Sequence, residues 1–117
     1  MSRSVVAKLR ESRIIFSMKT VVETKIFEKQ WPAIWTEAEH DEFIDWLSAN
    51  PEAGDVIPHT NGVRKVRWKR VGLGKSGGVR VIYTRFDEYG NLILITIYAK
   101  SDRENISDKE IRRITNG

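Results

Sequence analysis

Residues 63–85 read VRKVRWKRVGLGKSGGVRVIYTR, and the fold is decided by how this stretch is read. It carries eight cationic side chains (Arg64, Lys65, Arg67, Lys69, Arg70, Lys75, Arg80 and Arg85) and no acidic one. Residues 63–70 alternate: Val66 and Trp68 point one way, and Lys65, Arg67 and Lys69 the other, as in a half-buried β-strand. The glycines of 71–78 make a loop with Lys75 near its tip, and 79–87 returns as a second strand. Strand, loop and strand therefore share positive charge. The chain has 16 acidic residues, so their absence here is a matter of placement. Such a surface attracts polyanions, and nucleic-acid phosphate is the default partner.

Downstream, EYGN at 88–91 is a hairpin turn, and LILITIYAK at 92–100 is the most apolar strand, expected at the sheet centre. Upstream, TVVETKIF at 20–27 has the β-branched content of a strand, and 28–35 suggests a short helix in which Pro32 must either sit near the start or break it. Thr36 and Glu39 fit a capping box, and Phe43, Trp46 and Leu47 recur behind it at helical spacing, which predicts a helix over 37–49. Asn50-Pro51 ends that helix, and 51–62 has the composition of a loop. Ser107 and Glu110 fit a second capping box, which opens a short final helix with Ile111 and Ile114 on one face. The order β, α, α, β, β, β, α indicates an α+β fold, with helices on one face of a sheet and the basic strands open on the other.

A chain of 117 residues with 40% hydrophobic content and four tryptophans has room for one domain with a real core. Met18 directly precedes the first strand, so 1–17 is read as an N-terminal extension and 18–117 as the domain proper. The absence of cysteine excludes a disulfide framework and thiolate chemistry. No apolar run approaches the roughly 20 residues that span a bilayer, and 1–17 lacks a secretory signal's apolar segment. The expectation is a cytoplasmic domain with no membrane partner. A net charge of +4 understates an asymmetry, because Glu37, Glu39, Asp41, Glu42 and Asp45 make the second helix acidic.

The run GLGKSGG invites a phosphate-loop reading. That motif needs a glycine where Lys69 stands, and a helix where the strand VRVIY follows, so the reading is rejected. His40 and His59 lack metal-ligand spacing and are taken as surface residues. If the strands pair as a meander, Lys65, Arg67, Arg80, Tyr98 and Lys100 converge on one open face. From charge alone, a non-catalytic phosphate-binding surface outweighs catalysis.

The basic strand, the pattern G-x-G-K-x-G-G-x-R-x-I-Y and the apolar strand closing on Tyr-x-Lys together resemble the RelE superfamily of bacterial toxins, in its HigB-like branch. The likeness covers residues 21–114. It implies two N-terminal helices packed on a curved, mainly antiparallel sheet, with a short C-terminal helix. It further implies an mRNA interferase of a type II toxin–antitoxin pair, which enters the ribosomal A site of the 70S ribosome and cuts the mRNA codon there. The partner implied is a cognate antitoxin protein with a helix-turn-helix DNA-binding domain. No metal or other cofactor is implied: the RNA 2′-hydroxyl attacks the adjacent phosphate.

By position, Lys65 and Arg67 match the family's paired basic residues, as proton acceptor and phosphate stabiliser, with Lys100 the alternative proton acceptor. Arg80 matches the arginine that clamps the scissile phosphate. Lys100 stands where RelE has an arginine acting on the leaving group, and a lysine keeps the charge but loses the bidentate fork. RelE also stacks a C-terminal tyrosine on the target base. No tyrosine follows Lys100 here, and Tyr98 is the substitute candidate. Arg64, Lys69, Arg70 and Lys75 would hold RNA backbone phosphates. The rival readings are a non-catalytic RNA- or DNA-binding module using the same face, and a protein-interaction domain that docks an acidic partner.

Overall fold

A computed structural model describes residues 19–69, 78–101 and 106–116. The extension expected at 1–17, and the loop cations Arg70 and Lys75, lie outside the described residues.

Strand β1 (Val21–Glu23) is shorter than its β-branched sequence predicts. Thr24 ends it by capping a helix: its Oγ1 accepts the Phe27 N–H at 3.1 Å, and α1 runs over Lys25–Gln30. A satisfied cap outweighs strand propensity here. A 3-10 turn, Trp31–Ala33, follows, with Pro32 in its first positions, where a missing N–H leaves no hydrogen bond unmade. Helix α2 (Glu37–Ala49) forms as the sequence predicts, and its capping box closes in both directions, at 2.8 and 3.1 Å.

The remaining elements are β2 (Asp55–Val56), β3 (Arg64–Trp68), β4 (Val79–Arg85), β5 (Leu92–Ala99) and α3 (Asp108–Asn116). Strand β2 lies inside the segment whose composition suggests only a loop; it forms because Asp55 and Val56 pair with Lys65 and Arg64. The five strands are ordered β1-β5-β4-β3-β2, with β1 parallel to β5 and every other pair antiparallel. The middle strand is thus β4, and the more apolar β5 lies one place to its side.

Because β1 has three residues, it leaves part of the β5 edge without a partner strand. Side chains of α1 and its cap complete that edge. Thr24 Oγ1 donates to the Ile95 carbonyl at 3.0 Å, and Gln30 Oε1 accepts the Ile97 N–H at 3.1 Å and the Thr96 hydroxyl at 2.8 Å.

Helices α1 and α2 cover one sheet face. Phe27, Trp35, Phe43 and Leu47 pack there on Val66, Val79, Val81, Tyr83, Leu94 and Ile97. At about 1.5–3 kcal/mol for each large side chain removed from water, this is the main core. The second face is not wholly open, as the grouping of helices in the sequence suggests. Ile82, Ile95 and Tyr98 make part of it apolar, and Ile106 and Ile111 of the C-terminal segment cover them. A register shift at Ile82/Tyr83 contributes: Ile82 pairs with Thr96 and Tyr83 with Leu94, so Ile95 is the extra residue of β5 and joins this cluster.

The β4–β5 connection is tied by Asp87, whose carboxylate accepts from the N–H groups of Tyr89 and Asn91 and from the Asn91 side-chain amide. Gly90 sits at φ 85°, where a side chain would be strained. Desolvation alone would raise the Asp87 pKa, but these hydrogen bonds outweigh it, and the pKa falls below the ordinary carboxylate value.

Candidate active site

Strand register assembles the site. Arg67 of β3 lies directly opposite Arg80 of β4, which lies opposite Tyr98 of β5. One step along, Asp55 of β2 lies opposite Lys65, and Lys65 opposite Ile82. Residues in register share a face, so the cations Lys65, Arg67 and Arg80 rise from the same side of the sheet. Lys100 follows β5 directly, and its N–H donates to the Gly78 carbonyl at 3.2 Å, fixing it beside the start of β4.

These side chains line a cleft of about 640 Å³, together with Ala53, Asp55 and Val66. Arg67 is exposed, and Lys65, Arg80 and Lys100 are half-buried. Like charges placed directly opposite each other weaken a β-ladder, so the Arg67–Arg80 pair is an arrangement that folding alone does not favour. A bound anion relieves it. Two guanidinium forks and two ammonium groups around one concavity match a phosphate diester, whose oxygens accept several charge-assisted hydrogen bonds at once.

The structure therefore brings together Lys65, Arg67, Arg80 and Lys100 of the expected constellation. Tyr98 occupies the same register row, but its ring is 8% exposed within the apolar cluster under α3 and offers little face to a base. Arg64 points away from the cleft, and its Nη1 donates to the carbonyls of Gly54 at 2.6 Å and Glu52 at 3.2 Å. Lys69 leaves the end of β3 toward α2, with Nζ 3.4 Å from the Glu42 carboxylate and 5.7 Å from the Trp68 ring centroid.

Two features escape a reading of the sequence. The first is Asp55, the one carboxylate among the described residues lining the cleft. Its mount is built by Tyr83 and Arg64. The Gly54 N–H donates to Tyr83 Oη at 2.9 Å, and the Tyr83 hydroxyl donates to the Pro51 carbonyl at 2.9 Å. Gly54 is needed for this approach: a Cβ there would stand 2.9 Å from the Lys65 carbonyl oxygen and 3.0 Å from Tyr83 Cε1. Burial pushes the Tyr83 pKa above the ordinary phenol value, despite the opposing Gly54 hydrogen bond and Arg64 charge.

The second is His40, which is not a surface residue. Its side chain is 15% exposed, its ring stacks on Trp31 with centroids 4.0 Å apart, and its nitrogens contact the carboxylates of Glu23 and Asp41. It ties β1 to α2, away from the cleft lining. Among the described residues no group of His, Cys, Asp and Glu could hold a metal ion, and no helix is long and apolar enough to cross a membrane.

Comparison with known proteins agrees with this architecture. The chain is similar to the solved structure of a double arginine-to-alanine mutant of the E. coli toxin RelE in the free state, with a TM-score of 0.57 and 16% identity over 83% of this chain and 98% of that one. At that identity the likeness establishes an α+β fold with N-terminal helices on a five-stranded, mostly antiparallel sheet. Residues 24–116 match the family described as "RelE toxin of RelE / RelB toxin-antitoxin system". That span contains every strand and helix of the cleft, and on it the chain belongs to the RelE toxin family of RelE/RelB toxin–antitoxin systems.

Proposed function

We propose that this RelE-family chain is a ribosome-dependent mRNA endonuclease that cuts the codon in the A site and thereby stops translation. The observation that carries this reading is the convergence of Lys65, Arg67, Arg80 and Lys100 on one cleft, with two arginines directly opposite each other. In the proposed reaction the RNA 2′-hydroxyl attacks the adjacent phosphorus and leaves a 2′,3′-cyclic phosphate and a 5′-hydroxyl. Charge grows on the non-bridging oxygens as the phosphorane forms, and fixed cations aimed at them lower the barrier. Arg80 and Arg67 seat those oxygens. Lys65, the proton acceptor that the resemblance implies, is assigned instead to adding charge from the next register position, and Lys100 protonates the departing 5′-oxygen. No metal is needed in this scheme. Stacking of a base on Tyr98 would require α3 to lift from the sheet.

The exposed Lys69, with Arg70 and Lys75, is assigned to backbone phosphates of the message or of ribosomal RNA. Arg64 is assigned to holding the 51–54 segment. From the likeness of the run at 62–83 and of the closing strand, the chain is assigned to the HigB-like branch, and its partner to a cognate antitoxin carrying a helix-turn-helix domain. The expected setting is the cytoplasm, where ribosomes are.

Controlled expression tests the reading. Wild-type protein is expected to arrest growth and protein synthesis, co-expression of the antitoxin to relieve the arrest, and Arg80→Ala to be tolerated. A folded wild-type protein that is tolerated, yet binds RNA with strong salt dependence, would make the chain a non-catalytic binding module.

A further inference from the structure

We infer that Asp55 is the proton acceptor for the attacking 2′-hydroxyl, an inference that rests on the endonuclease reading above. The described residues lining the cleft are Ala53, Asp55, Lys65, Val66, Arg67, Arg80 and Lys100. As side-chain types, ammonium and guanidinium groups carry their protons at neutral pH, whereas a carboxylate is ready to take one. Among the described residues the cleft thus holds four cations suited to a dianionic phosphorane and one group suited to receive a proton. The two kinds of group are adjacent, because the register sets Asp55 directly opposite Lys65 on the same face.

Placement supports this assignment against the plain alternative. A carboxylate lowers the affinity of a cationic cleft for phosphate, so its presence there needs a reason. One reason independent of chemistry is that a charge on a terminal strand deters edge-to-edge pairing, since β2 ends the sheet. A residue serving only that purpose needs no exact position. Asp55 has a built one. The preceding Gly54 is buried and held through its N–H by Tyr83 and through its carbonyl by Arg64, with no room for a side chain. Those contacts fix the backbone immediately before Asp55, whose exposed side chain lines the cleft on the face it shares with Lys65, where a general base can meet its proton.

The step balances without a co-reactant. The 2′-O–H proton passes to the Asp55 carboxylate as the 2′-O–P bond forms. The P–O5′ bond breaks, and O5′ takes a proton from the Lys100 ammonium. Solvent then returns the proton from Asp55 to Lys100, and no electrons are exchanged.

The test is single-turnover cleavage on programmed ribosomes of two messages: one with the natural scissile 5′-oxygen, and one with sulfur in its place, a leaving atom that needs no proton. Asp55→Asn is expected to cut both messages about 10²–10⁴-fold more slowly than wild type while binding the ribosome at least as tightly. Asp55→Glu is expected to recover part of the rate. Lys100→Ala is expected to be slow on the oxygen message and rescued on the sulfur one. Asp55→Asn cutting at the wild-type rate, or rescued by sulfur, overturns the assignment while leaving the endonuclease reading intact. Loss of ribosome binding in both Asp55 variants makes the residue structural and also overturns it. A wild-type protein that leaves both messages whole removes the endonuclease reading, and the role of Asp55 with it.

Discussion

Replacing Tyr83 by Phe deletes one oxygen and keeps the ring. That ring has 0% exposure in the main core, so no large cavity is expected. What is lost is a bridge: Oη accepts the Gly54 N–H and donates to the Pro51 carbonyl, each at 2.9 Å. A hydrogen bond of this kind contributes about 0.5–1.5 kcal/mol net, and a buried donor left unsatisfied costs about 1–3 kcal/mol. Gly54 is buried, so the loss falls toward the upper part of that range, and we expect Tyr83→Phe to cost about 2 kcal/mol. For a chain of this length that corresponds to about 6–10 °C in Tm. Urea unfolding followed by tryptophan fluorescence measures it directly, with the slope m unchanged. The pH dependence gives a second check. Burial raises the Tyr83 pKa, so its contribution is full below the unfolded phenol value of about 10 and is lost as pH climbs through the folded value. The gap between wild type and Tyr83→Phe therefore narrows above about pH 10. A variant as stable as wild type at pH 7, or a gap that widens in alkali, would refute the reasoning.

Other outcomes follow from the same geometry. Gly54→Ala drives a methyl against the Lys65 carbonyl and the Tyr83 ring, and a cost of about 1–3 kcal/mol is expected in the same unfolding assay. Gln30→Ala strips the Ile97 N–H and the Thr96 hydroxyl of their acceptor, and is expected to cost about 1–3 kcal/mol; faster hydrogen exchange at the Ile97 amide is the local signature. Asp87 has a depressed pKa, so its contribution is full above the unfolded carboxylate value of about 3.9 and is lost as pH falls through the lower folded value. Asp87→Asn is expected to flatten that acid limb of the stability–pH curve.

The sequence was most legible where one local signal acted alone. The Thr36–Glu39 capping box set the start of α2, and the alternation of Lys65, Val66, Arg67 and Trp68 separated a core face from a cationic face. Because cross-strand register follows from such alternation, Lys65, Arg67, Arg80 and Lys100 were brought together as expected. It was less legible where two signals competed. Thr24 stands in a β-branched run yet caps a helix, since a side-chain acceptor three residues ahead of a free N–H is worth more than propensity. Strand β2 exists only through its pairing with β3, which no local pattern within 51–62 announces. The covering of Tyr98 by α3 depends on Ile82 and Ile95, which are far apart in sequence and united by a register shift. Asp55 was hidden for the same reason: its meaning comes from the residue opposite it.

The measurement that tests the central claim most directly is primer extension on an mRNA in purified ribosomes, with wild-type protein and Arg80→Ala. The cleft account predicts discrete cuts at the A-site codon with wild type, none on free RNA, and loss of the cuts in Arg80→Ala at unchanged fold. Cuts that persist in Arg80→Ala, or an intact message with folded wild-type protein bound to the ribosome, would contradict it.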